Sequence, residues 1–504
     1  MNSSLYASIN SVFESKADLP CLRTASTTWT YSQVRGLTRC TAGALRQLGI
    51  QRGDRVLAQG GKCPQSLALY LACLQLGVIY VPLNPAYTQR EIDYFINDTE
   101  PALFVSNTAH SSSNSHPIPV LTVDDRGKGT LTDFVSQATS HEHIEELEAS
   151  DLAAILYTSG TTGKSKGAML SHGNLVSNAM ALIKSWDWQP DDVLLHALPI
   201  YHVHGLFVAT HCALLTGTQI VWHEKFEVAR VMEDLPKCTV MMGVPTYYSR
   251  LLGDGTFCPE VVSNMRLFIS GSAPLPEQTF MQFQDRTGMR ILERYGMSET
   301  LMNTSNPVDG DRVPGTVGFP LPSVEVQVVD EEGEINPSSE VGNIEVRGPN
   351  VFDGYWRMPE KSETEFRSNG YFKTGDLGFL NEEGRLTIVG RDKDVVISGG
   401  LNIYPAEIES AIDEYDGIVE TAVVGAPHPD FGEGLIAVVV TTRPVDLRKL
   451  REFLSDRLAS FKHPKALRKV EELPRNAMGK IQKNSLREQF ADTFQSTDRT
   501  SSAN

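Results

Sequence analysis

The apolar positions of this chain alternate between helical and strand spacing for most of its length. From Thr28 to about Val105 the order is helix, strand, helix, strand. Tyr31 to Leu48 carries apolar residues at helical spacing. Gly53-Asp54-Arg55-Val56-Leu57-Ala58 is a turn into a strand. Ser66 to Leu76 is apolar almost all round, which predicts a buried helix. Val78 to Leu83 predicts a strand ending at Asn84-Pro85, and Glu91 to Asp98 another helix. Residues 107–150 are polar, rich in serine and histidine, and predict a surface excursion.

The alternation then resumes. Leu152 to Leu156 predicts a short buried strand, and Val193 to Leu198 the next, followed by a helix over Gly205 to Leu215. Gln219 to Trp222 is a strand, Glu227 to Leu235 a helix, Thr239 to Val244 a strand and Thr246 to Leu252 a helix. Leu267 to Ser270, Glu277 to Thr287 and Ile291 to Arg294 continue as strand, helix and strand. Such alternation predicts an α/β fold with a doubly wound, mostly parallel sheet. Functional loops then belong at the carboxyl ends of the strands. The loops after Leu156, Leu198, Val244, Ser270 and Arg294 are the candidates.

From Gly315 the texture becomes β-rich. Val324 to Val329, Asn343 to Val346 and Arg385 to Val389 predict strands joined by Gly and Asp/Glu turns. Gly390-Arg391-Asp392-Lys393-Asp394 separates them from a last segment of roughly a hundred residues, long enough for a small domain. Its elements are a helix over Ala406 to Tyr415, strands over Thr421 to Val424 and Ile436 to Thr441, and a helix over Leu447 to Leu458. Pro405 and Gly417 frame the first helix.

Composition narrows the function. A chain of 504 residues accommodates several domains, and its formal net charge of −17 argues against nucleic acid or an anionic membrane as the main partner. The seven cysteines are scattered and never form a C-x-x-C pair, which argues against zinc ribbons and disulfide scaffolds and for a reducing compartment. No basic stretch followed by an apolar core opens the chain, and no apolar run reaches membrane-spanning length. A cytoplasmic protein is expected.

The strand at Leu152 leads into Tyr157-Thr158-Ser159-Gly160-Thr161-Thr162-Gly163-Lys164-Ser165-Lys166-Gly167. Glycines let backbone N–H groups approach an anion. Hydroxyls add donors, and the lysines add charge for phosphate oxygens. A Walker A loop requires a glycine where Thr158 stands, so this is a triphosphate-handling loop of another kind.

Further blocks follow in order: Leu198 to Gly205 with His202 and His204, then Ser270-Gly271-Ser272-Ala273-Pro274-Leu275, then Glu293-Arg294-Tyr295-Gly296-Met297-Ser298-Glu299-Thr300. Gly370 to Gly378 contains Asp376. The Gly390–Asp394 junction with Ile397-Ser398-Gly399-Gly400, and Pro474-Arg475-Asn476-Ala477-Met478-Gly479-Lys480, complete the set. In this order and spacing the blocks resemble the adenylate-forming superfamily of acyl-CoA synthetases, luciferases and adenylation domains, over nearly the whole chain. The wording of Ser171-His172, His196 to Pro199, Met265 to Leu275, Asn303 to Pro314 and Pro349 to Lys361 is most similar to malonyl-CoA synthetases.

The resemblance implies an adenylation domain over residues 1–391 and a mobile C-terminal domain over 392–504. It implies adenylation of a carboxylate by ATP with Mg²⁺, then attack by the thiol of coenzyme A. The loop Thr158, Ser159, Gly160, Thr161, Thr162, Gly163, Lys164 would hold the β- and γ-phosphates. Glu293, Arg294, Tyr295, Gly296, Met297 and Ser298 would form the nucleotide wall, with Tyr295 against adenine and the Ser298 hydroxyl toward the α-phosphate. Glu299 would be the magnesium ligand, Asp376 would take the ribose hydroxyls, and Arg391 the ribose or a phosphate. Lys393 would stand at the hinge, Lys480 would bridge carboxylate and α-phosphate, and Gly399 and Gly400 would pass close to the pantetheine arm. His202 would gate the carboxylate and the thiol tunnel. No cysteine or carboxylate stands at zinc-ligand spacing from His202 and His204, which would share a face on an extended segment.

Malonate carries a second carboxylate, which must be neutralised in a pocket that excludes water. Arginine is its best partner because it is bidentate. Arg250 is the candidate, with Ser272 assisting and Ala273 beside it; Arg266 is the rival. Methylmalonate, oxalate or a short monocarboxylate are alternative substrates. A carrier-loading domain is disfavoured because only a short polar tail follows Lys480, and a non-catalytic relative because Lys480, Glu299 and Asp376 are all present.

Overall fold

The computed structural model describes residues 3–107, 118–158, 165–398, 401–429, 431–476 and 479–494. Two large sheets dominate. The nine-stranded sheet runs, edge to edge, Phe319–Pro320, Leu301–Ser305, Leu292–Met297, Leu267–Ser270, Val240–Gly243, Val193–His196, Gln219–Trp222, Pro20–Arg23 and Thr28–Thr30. Its pairings are parallel from Leu292–Met297 through Pro20–Arg23 and antiparallel at both margins. The six-stranded sheet runs Val120–Thr122, Leu103–Ser106, Arg55–Gln59, Ile79–Pro82, Leu152–Thr158 and Lys166–Ser171, parallel except for the last pair. Parallel strands buried on both faces explain the continuous apolar runs in the sequence. The helix Pro64–Leu76 is buried along its length and ends at Gly77, whose φ of 64° is a left-handed cap. Tyr70 on that helix donates to or accepts from His211 at 2.8 Å and lies beside Phe207, which ties the two sheets together.

Two expectations change. Of the stretch 107–150, residues 118–150 are not a simple surface excursion. Val120–Thr122 adds a parallel strand to Leu103–Ser106, and the helix Thr130–Gln137 buries Leu131 and Val135. Beyond it, Gln75 donates to the carbonyls of His141 and His143. Single apolar anchors and side-chain-to-backbone bonds hold this stretch, and neither produces a periodic pattern. The flanks of the phosphate-type loop pair antiparallel, Thr158 opposite Lys166. The next helix begins only at His172, where Ser171 and Asn174 form a capping box. The helix expected from Gly205 opens as a wide π-type turn, Val203–Ala209, before Thr210–Thr216, so His204 is not on an extended segment.

The β-rich part is a four-stranded antiparallel sheet: Glu325–Val329, Gly342–Arg347, Phe372–Leu380 and Leu386–Arg391. The third strand escapes the sequence pattern because Gly375 sits at φ 69° and the register shifts between Leu377 and Gly378. After a short turn over Asp392–Asp394 comes a five-stranded sheet in which Ile418–His428 and Gly432–Thr441 form the long hairpin. Its apolar residues, from Val396 onward, form their own clusters. Among the described residues, no core cluster on the N-terminal side extends past Ile388.

Candidate active site

The carboxyl ends of the central strands converge on one cleft. Leu267–Ser270 ends at Gly271, and the neighbouring strand Leu292–Met297 carries Arg294. Gly271 is required by the contact between them: a Cβ there would come within 2.4 Å of the Arg294 guanidinium carbon. Arg294 is 4 % exposed, and its Nε and Nη2 have no hydrogen-bond partner among the described residues. Burial pushes its pKa down to about 9. An unpaired buried guanidinium costs free energy that a bound anion would offset.

His202 and His204 face this cation. Burial, and then the charge of Arg294, pushes the His202 imidazole down to about 4 and that of His204 well below its usual value, so both are neutral. His204 Nδ1 lies 3.3 Å from the Ser272 hydroxyl, while His202 Nδ1 and His204 Nε2 have no partner. Ser272 holds φ at 72°, a left-handed conformation costly for a residue with a Cβ. Ala273 beside it is half-buried. Ser270 Oγ, Glu293 Oε1 and Thr300 Oγ1 are also buried without partners. Such orphans are rare in protein interiors, and their concentration here marks a site built for a polar ligand. Burial raises the Glu293 carboxyl to about 8.

Beside this pocket lies a second set. Tyr295 donates to the Asp376 carboxylate at 2.5 Å, and Arg391 Nε meets the same carboxylate at 2.9 Å. Asp376 is held by its own backbone N–H, which donates to Thr374 Oγ1 at 3.1 Å. Gly296 has no room for a side chain: a Cβ would lie 1.8 Å from the Leu301 carbonyl oxygen. Met297 and Ser298 follow, both half-buried. Glu299 is 6 % exposed, and Tyr355 donates to it at 3.1 Å and Thr158 at 3.4 Å. Burial raises its pKa, with Tyr355, Lys166 and Arg391 opposing the rise. Among the described residues no basic side chain lies within ion-pair distance of Glu299, and no three His, Cys, Asp or Glu side chains group to hold a metal.

The C-terminal sheet brings Lys480 to the same place. Burial, then the like charge of Arg391, lowers its pKa to about 8, with Asp376 and Asp394 opposing and Lys393 adding to the fall. Gly479 approaches Thr246 on the helix Pro245–Leu252. Lys393 sits in the turn between the last N-terminal strand and the C-terminal sheet. Ser159, Gly160, Thr161, Thr162, Gly163, Lys164, Gly399 and Gly400 lie outside the described residues.

The structure thus groups Tyr295, Glu299, Asp376, Arg391 and Lys480, and places His202 and Ser272, with Ala273 next in the chain, around Arg294, the residue before Tyr295. Glu293 lies near Leu275 and Gly315 instead, and two arginines stand outside both groups. Arg250 is exposed on the helix Pro245–Leu252. Arg266 stands at the amino end of its strand, where its guanidinium binds the Asp192 carboxylate and the Trp186 carbonyl. That is the end away from the cleft, and its donors are engaged in structure. Sequence reasoning assigned Arg294 to the nucleotide wall and passed over its facing of the two histidines. The signal available was Gly271, which clears space for a neighbour. Tyr355 was also missed, and no sequence signal marks it.

Residues 10–356 match the AMP-binding enzyme family, and residues 407–480 match the AMP-binding enzyme C-terminal domain. The chain belongs to the AMP-binding enzyme family. Among solved structures it is similar to ATP-bound MatB from Rhodopseudomonas palustris, at 48% identity and a TM-score of 0.95, covering 98% of this chain and 100% of that one. Against the apo form of the same protein the TM-score is 0.84. A malonate–CoA ligase of Arabidopsis thaliana is 36% identical over 87% of this chain and 78% of its own length. A mitochondrial malonate–CoA ligase of Mus musculus is 35% identical over 82% and 78%. Among the described residues no helix is long and apolar enough to cross a membrane.

Proposed function

We propose that this protein joins malonate to coenzyme A at the expense of ATP, releasing AMP and pyrophosphate through a malonyl-adenylate. The observation that carries the choice of acid is Arg294, a buried guanidinium with free donors among neutral histidines and Ser272. A dicarboxylate presents one carboxylate for reaction and leaves a second that needs such a partner. The names of the Arabidopsis and mouse relatives agree.

In the first step a malonate oxygen attacks the α-phosphorus and pyrophosphate leaves. A carboxylate oxygen is a poor leaving group, and adenylation replaces it with a good one. The protein contributes position and charge rather than covalent chemistry. Lys480 stabilises the charge that builds between carboxylate and α-phosphate. Tyr295, Gly296, Met297 and Ser298 seat the nucleotide, Asp376 and Arg391 take the ribose, and the 159–164 loop takes the outer phosphates. A buried carboxylate without a cationic partner fits a magnesium ion, and Glu299 would hold it; the ion would neutralise phosphate charge, as one or two carboxylates plus phosphates usually allow. In the second step the coenzyme A thiolate attacks the acyl carbonyl, AMP departs, and the thiol proton is released. Residues 1–391 and 392–504 act as two domains that turn about Lys393, bringing Gly399 and Gly400 to the pantetheine arm while His202 gates the carbonyl. The acidic net charge of −17 supports small-molecule substrates rather than nucleic acid or an anionic membrane as partners, and a cytoplasmic setting is part of this proposal.

Coenzyme A-dependent pyrophosphate release with malonate, methylmalonate, oxalate, acetate, butyrate and octanoate tests the proposal. Malonate is expected to lead. Arg250→Ala is expected to lower kcat/KM for malonate by less than about tenfold, because a rim charge acts mainly on encounter. A lead by butyrate or octanoate would overturn the choice of acid, and a larger loss in Arg250→Ala would return that residue to the centre of the pocket.

The lowered Lys480 pKa gives a pH signature. The useful form is the cation, so a pKa moved from 10.5 to about 8 removes it as pH rises through 8. In malonate-dependent ATP–pyrophosphate exchange, kcat/KM for ATP, which reports the free enzyme, is expected to fall on the alkaline side of about pH 8. The residual rate of Lys480→Arg should show that limb displaced to higher pH, since a guanidinium starts from a higher pKa than an ammonium. A flat wild-type profile to pH 9.5 would contradict the assignment.

A further inference from the structure

The hairpin that carries Lys480 is braced from outside the cleft. Gln482 donates to the Pro474 carbonyl at 2.7 Å, and Arg475 pairs with Ile481 across the hairpin. Near its tip, Gly479 N–H donates to the Asn476 carbonyl at 2.9 Å, and Lys480 N–H donates to Asn476 Oδ1 at 3.0 Å. Gly479 adopts φ 75°, which suits glycine alone at no cost. These bonds shape the hairpin but do not attach it to anything.

Leu473 and Ile481 anchor its base in the apolar core of the C-terminal sheet, and Arg475 makes the polar attachment nearer the tip. One of its terminal nitrogens donates to the Gly479 carbonyl, in the peptide immediately before Lys480. The other donates to the Glu420 carboxylate at 2.5 Å. Glu420 stands on Ile418–His428, half of the long hairpin of the C-terminal sheet, opposite Val440. A second tie follows the hairpin. Lys483 Nζ lies 2.6 Å from Glu409 Oε1, and Glu409 also accepts the Val423 N–H at 2.6 Å. Both flanks of the lysine loop are therefore pinned by ion pairs to carboxylates bonded into or standing on one strand. Lys480 itself is buried, with Asp376 and Arg391 among the charges that act on it.

We infer that Arg475 is a positioning residue for the adenylation step, fixing the peptide before Lys480 to the C-terminal sheet so that the lysine enters the cleft in one orientation. Its donors are engaged with Gly479 and Glu420, so it acts through Lys480 and does not touch substrate. A long lysine side chain on a free hairpin would sample many placements, and a misplacement of about 1 Å costs on the order of 10²-fold in rate. The inference rests on Lys480 serving adenylation, as proposed above.

The experiment separates the two half-reactions. Arg475→Ala is expected to lower kcat of ATP–pyrophosphate exchange by about tenfold or more. Conversion of supplied malonyl-adenylate and coenzyme A to malonyl-CoA should stay within about twofold of wild type, since Lys480 has no part in it. Arg475→Lys, which keeps one of the two contacts, should recover part of the loss. Glu420→Gln should show a smaller loss in the same half-reaction. The double variant Arg475→Ala/Lys480→Ala should be no slower in exchange than Lys480→Ala alone, because a positioning residue has nothing left to position. Equal loss in both half-reactions, multiplying losses in the double variant, or unchanged exchange would each overturn the inference. If Arg475→Ala melts early, Arg475→Lys and Glu420→Gln carry the comparison. If wild type shows no exchange with malonate, the choice of acid fails, and the same ratios measured with the acid that wild type accepts still decide the role of Arg475.

Discussion

Replacing Lys480 with alanine is expected to slow adenylation by about 10²- to 10³-fold, the usual effect of removing one group aimed at developing charge. The lysine is a buried cation that interacts with Asp376 and Arg391, as the hinge-side Lys393 also does. Arg391 does not replace it, because its Nε is bound to the Asp376 carboxylate at 2.9 Å. Single-turnover measurement of malonyl-adenylate formation gives the size of the loss. Supplied malonyl-adenylate with coenzyme A should give malonyl-CoA at a rate within about twofold of wild type, since an interaction made in only one transition state affects only that step. Loss of both half-reactions together would assign Lys480 to the fold rather than to the chemistry. A loss in adenylation of less than tenfold would move the charge-stabilising role to another group.

Arg294→Met is expected to lower kcat/KM for malonate by about 10²- to 10³-fold, or about 2.7–4.1 kcal/mol, in the lower part of the range that follows removal of one partner from a buried charge pair. Turnover of butyrate, which brings no second charge, should hold or rise, because the pocket loses a cation that such an acid cannot pair. The substitution should also raise the melting temperature of the ligand-free protein. Arg294 is buried with Nε and Nη2 unpaired, and an apolar side chain of similar length removes that cost. Higher stability with lost activity is the trade typical of a site strained for its ligand. Retained malonate preference in Arg294→Met would defeat the assignment. A fall in melting temperature would indicate that the guanidinium is paired in solution.

Much of the fold was legible because parallel strands buried on both faces announce themselves as short apolar runs. Val240–Gly243 and Leu267–Ser270 are buried along their whole length and were readable to within a residue or two. Residues 118–150 were not legible, because their strand and helix are held by scattered anchors such as Leu131 and by bonds from Gln75 to distant carbonyls. Phe372–Leu380 hid for a different reason: a left-handed Gly375 and a register shift interrupt the period that marks a strand. The candidate site was legible as a set of blocks, since glycines and charged residues at strand ends stand out from an apolar background. What each residue faces was less so. Arg250 lies within a helix and Arg266 just before a strand, yet one is exposed and the other is bound to Asp192 at the end of that strand away from the cleft.

The sequence by itself determined the alternation of strands and helices, the chemistry of the loops and the order in which they occur. These are local properties, set by side-chain spacing and by glycine where the backbone must turn or admit a neighbour. Only the tertiary structure decided which cation lies buried and unpaired. Burial and pairing depend on residues far apart in the chain: Gly271 yielding space to Arg294, Asp192 occupying Arg266, and Glu420 holding the hairpin that presents Lys480.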